Sequence, residues 1–155
     1  SSSIIPCLLA YPAYSSSSIY IQDQLVTIII NMAKVPIARI QMVQAKVIQF
    51  LINILGQRGR KVKELTCSSA LDKTVSKAVI ALARLSQDSS TADMVIKLGG
   101  LRELVSLVKV VPTQENEIPM AIMVAVKTIT SCCNVEYEAE LGDSDEVGNS
   151  DESFV

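Results

Sequence analysis

The sequence predicts an all-α protein built as a stack of repeated helical units, and three observations carry that prediction. Apolar residues recur at i, i+3, i+4 and i+7 along the body of the chain. Two families of such stretches alternate, so the chain matches itself at a shifted register. The differences in spacing between the copies fall in a single connection of each unit.

Taken in order, Ile5, Leu8 and Leu9 open the first family, which returns as Val47, Phe50, Leu51 and Ile54 and again as Leu101, Leu104, Val105 and Val108, at intervals of 42 and 54 residues. The second family is Leu25, Ile28, Ile29 and Met32, then Ala78, Val79, Leu82 and Leu85, then Ile122, Val126, Ile129 and Cys133. Ile29 to Val47 and Leu82 to Leu101 span 18 and 19 residues, whereas the return distances from Ile5 to Ile29, Val47 to Leu82 and Leu101 to Ile129 are 24, 35 and 28. A stacked solenoid tolerates insertions at one such connection without losing its core. Pro36 and Pro119 suit the first turn of a helix, where a missing N–H costs nothing. Gly99-Gly100 suits a sharp turn between two helices, because glycine accepts positive φ. Where that pair should recur the chain has Ala45-Lys46 instead.

Three segments resemble the armadillo repeat. Ser3-Ile4-Ile5-Pro6-Cys7-Leu8-Leu9 is similar to the start of a second helix, and Ala81-Leu82-Ala83-Arg84-Leu85-Ser86 to the end of a third. Thr91 to Val108, through Val95-Ile96-Lys97-Leu98-Gly99-Gly100-Leu101, resembles a first helix, its glycine turn and the helix that follows. The resemblance implies a right-handed α-solenoid of about three repeats over residues 1–135, a piece of a larger array that begins inside one repeat. It also implies a concave groove that holds extended peptides, lined by Asn31, Arg84 and Ser131. The competing expectation for these three is a solvated helix face.

Charge divides the chain more sharply than its total suggests. Residues 1–135 carry all 14 Lys and Arg with 8 of the 16 acids, a net of +6, and residues 136–155 carry the other 8 acids and no base. That acidic tail buries too little apolar surface to offset chain entropy and is expected to be disordered. Its Ser144 and Ser150 read equally as acidophilic kinase sites and as solubilising serines. Within the long connection, Arg58, Arg60, Lys61 and Lys63 form a basic knot. It could meet nucleic acid, anionic lipid or the chain's own tail, but it is read as a solvated loop, since no interleaved aromatics suggest base stacking, and no nucleic-acid partner is expected.

The chain has no His, which removes the commonest general base and metal ligand and every triad that contains histidine. No catalytic residue, metal or cofactor is expected, and the fold should not be an enzyme. Gly99-Gly100 lacks the lysine and hydroxyl of a nucleotide cradle. Cys7, Cys67, Cys132 and Cys133 show no paired spacing and are read as reduced thiols packed as small core hydrophobes. The uncharged stretch Ser1 to Gln22 is broken by seven serines and two prolines, and the uncharged runs Gln24 to Ala33 and Val47 to Gln57 are ten and eleven residues, about half of what crosses a bilayer, so no transmembrane segment is expected. Ser1 to Ser18 lacks the basic start of a secretory signal.

The last four residues, Glu152-Ser153-Phe154-Val155, follow the pattern hydroxyl, any residue, aliphatic, carboxylate. PDZ domains take such an end as an added strand, with the carboxylate in a nest of backbone N–H groups, Val155 in an apolar pocket and Ser153 offering its hydroxyl. An armadillo array followed by an acidic arm with this ending, together with Val79 to Ser86, resembles the carboxyl-terminal part of the Inscuteable family. The resemblance implies a cytoplasmic, non-catalytic adaptor at the apical cell cortex. It would link Bazooka-type polarity scaffolds, which carry PDZ domains, to spindle orientation in asymmetric cell division. Partner of Inscuteable would engage a segment that lies outside this sequence. The alternatives are an armadillo peptide receptor of the transport or catenin type, with the terminal motif incidental, and an enzyme subunit without chemistry of its own.

Overall fold

The computed structural model describes residues 18–44, 46–61, 69–109 and 118–133. Among these residues are seven α-helices and no strand: α1 (Ile19–Met32), α2 (Pro36–Gln44), α3 (Val47–Lys61), α4 (Ser69–Leu85), α5 (Ser89–Lys97), α6 (Gly100–Val108) and α7 (Ile118–Cys132). The all-α prediction holds for them. Ser3–Leu9, the tail 136–155 and its terminal motif lie outside the described residues.

Local chemistry sets the helix boundaries. Ser18 caps α1 by accepting a hydrogen bond from the Tyr20 backbone N–H at 3.4 Å. Pro36 is the first residue of α2 and Pro119 the second of α7, within the turn where prolines are tolerated. The α5–α6 turn divides its glycine pair between two tasks. Gly99 takes a left-handed φ of 81°, and nothing lies within 4 Å of where its Cβ would be. Gly100 is there for space, since a Cβ would stand 2.7 Å from Val95 Cγ1 and 3.0 Å from the Val95 carbonyl oxygen. Before α3 the same turn is made without glycine, by Lys46 at φ 62°.

The helices fall into two successive units, of 14, 9 and 15 residues and of 17, 9 and 9 residues. The connections α1–α2 and α4–α5 run over 33–35 and 86–88, and α2–α3 and α5–α6 over 45–46 and 98–99, so corresponding links are equal in length. The spacing differences fall between α3 and α4 and between α6 and α7, where the sequence puts them. A shift of 53 residues pairs Val26 with Val79, Ile29 with Leu82, Met42 with Val95, Leu51 with Leu104 and Ile54 with Leu107, all buried. This corrects the sequence alignment by one position in the middle helix. The apolar pattern paired Leu51 with Val105 and Ile54 with Val108, but both valines are 48% exposed. The cause is Gly100, which occupies the place of Val47 yet has no side chain to register as apolar, so the pattern slid to Leu101.

Helix α4 lies at the centre and packs against α1, α3, α5 and α7, while α3 also meets α6 and α7 meets α5 and α6. Leu71, Val75, Ala78, Val79, Ala81, Leu82 and Leu85 of α4 are all fully buried, spread around much of its circumference. Each Val or Leu buried there is worth about 1.5–3 kcal/mol, and together they hold one continuous core.

Candidate functional site

Helix α4 runs between α1 and α7, and its polar side chains at spacings of four and seven residues form one stripe. Lys77 Nζ lies 2.8 Å from Asp23 Oδ2 and donates to Thr27 Oγ1 at 3.0 Å, both on α1. Thr74 Oγ1 donates to Asp23 Oδ1 at 3.3 Å, and Thr27 Oγ1 donates to the Asp23 carbonyl at 2.8 Å. Two turns further along α4, Arg84 Nη1 donates to the Ile30 carbonyl at 3.1 Å. That carbonyl belongs to the last turn of α1, which has no intrahelical partner for it, so Arg84 closes a helix end. Contacts that advance together along both chains make α1 and α4 parallel neighbours.

Two of the three residues expected along a groove, Asn31 and Arg84, occupy this end of the α1–α4 pair. Asn31 is exposed, and its Oδ1 accepts from Lys34 Nζ at 3.4 Å. Arg84 is half-buried beside it through the Ile30 contact, and Ser131 is exposed near the end of α7. The structure therefore sets Asn31 and Arg84 side by side. Part of the Arg84 hydrogen-bonding capacity is already used within the chain. Met120, Met123 and Val124 on α7 are 74%, 71% and 55% exposed, so the outer side of that helix is apolar.

A second feature lies between the two short helices. Arg39 of α2 reaches Asp88 Oδ2 with Nε at 2.9 Å and the Ala33 carbonyl with Nη1 at 3.1 Å, joining the end of α1 to the start of α5. Above this bridge is an open cleft of about 430 Å³ lined by Pro36, Arg39, Ile40, Val43, Asp88 and Thr91. Nothing in the local sequence announces either pairing. Asp23 and Lys77 stand 54 residues apart and Arg39 and Asp88 stand 49 apart, and the one available hint was Asp23, the only acid of an otherwise uncharged helix.

The basic knot is not a loop. Helix α3 continues to Lys61, so Arg58, Arg60 and Lys61 are helical, while Lys63 lies outside the described residues. Arg60 is exposed, but Arg58 is 4% exposed, with Nε 2.6 Å from Asp72 Oδ1 on α4. The contact is a close ion pair without hydrogen-bond alignment. Its aliphatic stem lets Arg58 sit on the core while Asp72 balances the charge, so it offers nothing to an outside ligand.

Cys132 and Cys133 are half-buried free thiols at the end of α7 rather than core residues, and Cys133 Sγ donates to the Thr130 carbonyl at 3.2 Å. Among the described residues no cluster of His, Cys, Asp or Glu could hold a metal ion, and no helix is long and apolar enough to cross a membrane.

No solved structure matches the chain. Protein inscuteable homolog of Homo sapiens is similar to it, at 26% identity over 117 residues that cover 74% of this chain and 20% of that protein. The chain thus spans about one fifth of the length of this curated relative. The family described as Protein inscuteable C-terminal matches residues 15–146, a stretch that takes in all seven helices, and the chain belongs to that family.

Proposed function

We propose that this chain is a non-catalytic interaction module of an adaptor for asymmetric cell division, acting at the cell cortex. Its body is an armadillo-type right-handed solenoid, and its acidic tail is a tether that displays a PDZ ligand. The observation that carries the reading is family membership over residues 15–146. The solenoid reading is supported by the 53-residue repeat and by the series α1, α4, α7 in which corresponding helices are neighbours. The tail reading is supported by the eight acids of residues 136–155 and by Ser153-Phe154-Val155 at the end. With Val155 carrying the free carboxylate, the peptide adds as a strand to the PDZ sheet edge, as required of a Bazooka-type polarity scaffold. A micromolar interaction corresponds to about −8 kcal/mol, reversible enough for an assembly that forms and dissolves with each division.

The test is a titration of a tail peptide ending at Val155 into PDZ domains of polarity scaffolds. Micromolar binding is expected for the free acid, with loss on carboxyl amidation and on phosphorylation of Ser153, which adds charge and bulk where the hydroxyl should sit. Equal affinity of all three forms defeats the pose.

A second reading is favoured by the adjacency of Asn31 and Arg84: a peptide receptor of the transport or catenin type, with the terminal motif incidental. Full-length chain that keeps its partners after Val155→Asp, and loses them after Asn31→Ala with Arg84→Ala, would favour it over display by the tail.

A further inference from the structure

We propose that copies of this chain stack head to tail, with the outer face of α7 of one copy seated on the outer face of α1 of the next, so that the series α1, α4, α7 continues from molecule to molecule. The interface to be continued already exists between α1 and α4. Thr74 of α4 donates to Asp23, Lys77 to Asp23 and Thr27, and Arg84 to the Ile30 carbonyl. Thr74, Lys77, Ala81 and Arg84 follow one another at three, four and three residues, so they form one row along α4. Asp23, Thr27 and Ile30 form the row on α1 that receives it. Thr74 and Ala81 are fully buried in this contact.

Each outer helix carries one of these two rows without its mate. The shift of 53 residues places Ile21, Gln24, Ile28 and Asn31 of α1 where α4 has Thr74, Lys77, Ala81 and Arg84. Ile21 and Ile28 are 46% and 42% exposed, although the residues they match are buried and less apolar. Helix α7 follows α4 at a shift of 47 residues, which pairs Leu71 with Ile118, Val75 with Ile122, Ala78 with Ala125 and Leu82 with Ile129, all buried. The two shifts combined, 100 residues, put Met123, Lys127 and Thr130 of α7 where α1 has Asp23, Thr27 and Ile30, and all three are exposed. Helix α1 therefore presents the back of the repeated interface and α7 presents its front.

The pairs that a second copy would form match in chemistry. Asp23 touches both Thr74 and Lys77, so Met123 in its place falls against Ile21 and Gln24 of the next copy. Methionine is unbranched and fits itself to a stiff β-branched neighbour. Thr27 accepts from Lys77, so Lys127 in its place falls against Gln24, and donor and acceptor exchange sides: the Lys127 ammonium donates to Gln24 Oε1 while its stem covers Ile28. Lys127 is the one charged residue in the two rows, so no like charges meet across the contact. An interface that the fold already uses, with its two halves exposed on one molecule, fits a second copy better than an unrelated helix. Front-to-back contact is heterologous and leaves a free row at each end, so the assembly grows as an open chain. Stacking would display many carboxyl ends together, which goes beyond display by a single tail and does not depend on it.

The test is sedimentation velocity of the full chain across the micromolar range. The weight-average sedimentation coefficient of the unaltered chain should keep rising with concentration beyond the dimer. Ile21→Asp and Met123→Asp, both at exposed positions, should each abolish association with the helical circular dichroism unchanged. An equimolar mixture of the two should give a heterodimer and nothing larger, because each variant keeps the row that the other has lost. Gln24→Glu gives Lys127 a carboxylate and should tighten association about two- to fivefold at low salt, a gain that Lys127→Gln removes. A chain that stays monomeric because some other segment or partner takes these rows, self-association that survives Ile21→Asp, or a mixture of the two variants that stays monomeric would each overturn the proposal. The PDZ titration reads the tail peptide alone, so its outcome is independent.

Discussion

Replacing Lys46 by glycine should stabilise the protein, and the corresponding change in the second unit should do the reverse. Lys46 holds φ at 62° on the surface just before α3, and Gly99 holds 81° just before α6. An L-residue in the left-handed region costs about 1–2 kcal/mol, and glycine returns about 0.5–1 kcal/mol of that through the freedom it has in the unfolded chain. Lys46→Gly should therefore gain about 0.5–1 kcal/mol, and Gly99→Ala should lose a similar amount, since no atom lies within 4 Å of the added methyl. Gly100→Ala is a different experiment. Its Cβ would meet Val95 Cγ1 at 2.7 Å and a backbone oxygen at 3.0 Å, and fully buried, β-branched Val95 has little room to turn away. The cost of such overpacking is about 1–3 kcal/mol. Thermal denaturation followed by far-ultraviolet circular dichroism ranks the three variants, with each kcal/mol moving Tm by roughly 2–4 °C at this chain length. A loss of stability in Lys46→Gly as large as that in Gly99→Ala would refute the left-handed turn before α3.

Two further outcomes follow from buried polar groups. Arg58→Met leaves the partly exposed Asp72 without its cation and should cost about 1–3 kcal/mol, while Arg58→Met with Asp72→Leu should recover most of the loss; a double mutant as unstable as the single one would contradict the pairing. Ser86→Ala should gain roughly 1 kcal/mol in the same denaturation assay, because the Ser86 Oγ is fully buried without a partner and the corresponding residue of the first unit is already Ala33; destabilisation would show an unrecognised bond to that hydroxyl.

Much of the helical plan was legible because it is written in local chemistry. The alternation of Leu25, Ile29 and Met32 with Val47 and Leu51, and the glycine pair at 99–100, are short-range signals, and the helix boundaries around 98–99 follow them. The one-residue slip in the middle helix came from the same pair, since Gly100 hides a core position behind an absent side chain. Arg58 was misread for a complementary reason. In sequence a run of Arg, Gly and Lys looks like a loop, and only the arrival of Asp72 from another helix allows the guanidinium to be buried. The bridges Lys77–Asp23, Arg84–Ile30 and Arg39–Asp88 join residues 49 to 54 positions apart, and no periodicity specifies such partners. Among the site candidates, sequence alone brought Asn31 and Arg84 to equivalent positions. That Arg84 already serves as the closing donor for a neighbouring helix had to be seen.

The central position of α4 has a consequence for how the domain comes apart. A linear array with contacts only between successive layers can fray from one end, layer by layer. Here four helices lean on one, and its fully buried residues are shared among them. Loss of α4 strips the support from α1 and α7 together, so melting should proceed as a single cooperative step. Cutting the chain between α3 and α4 should leave two halves, neither of which encloses a core.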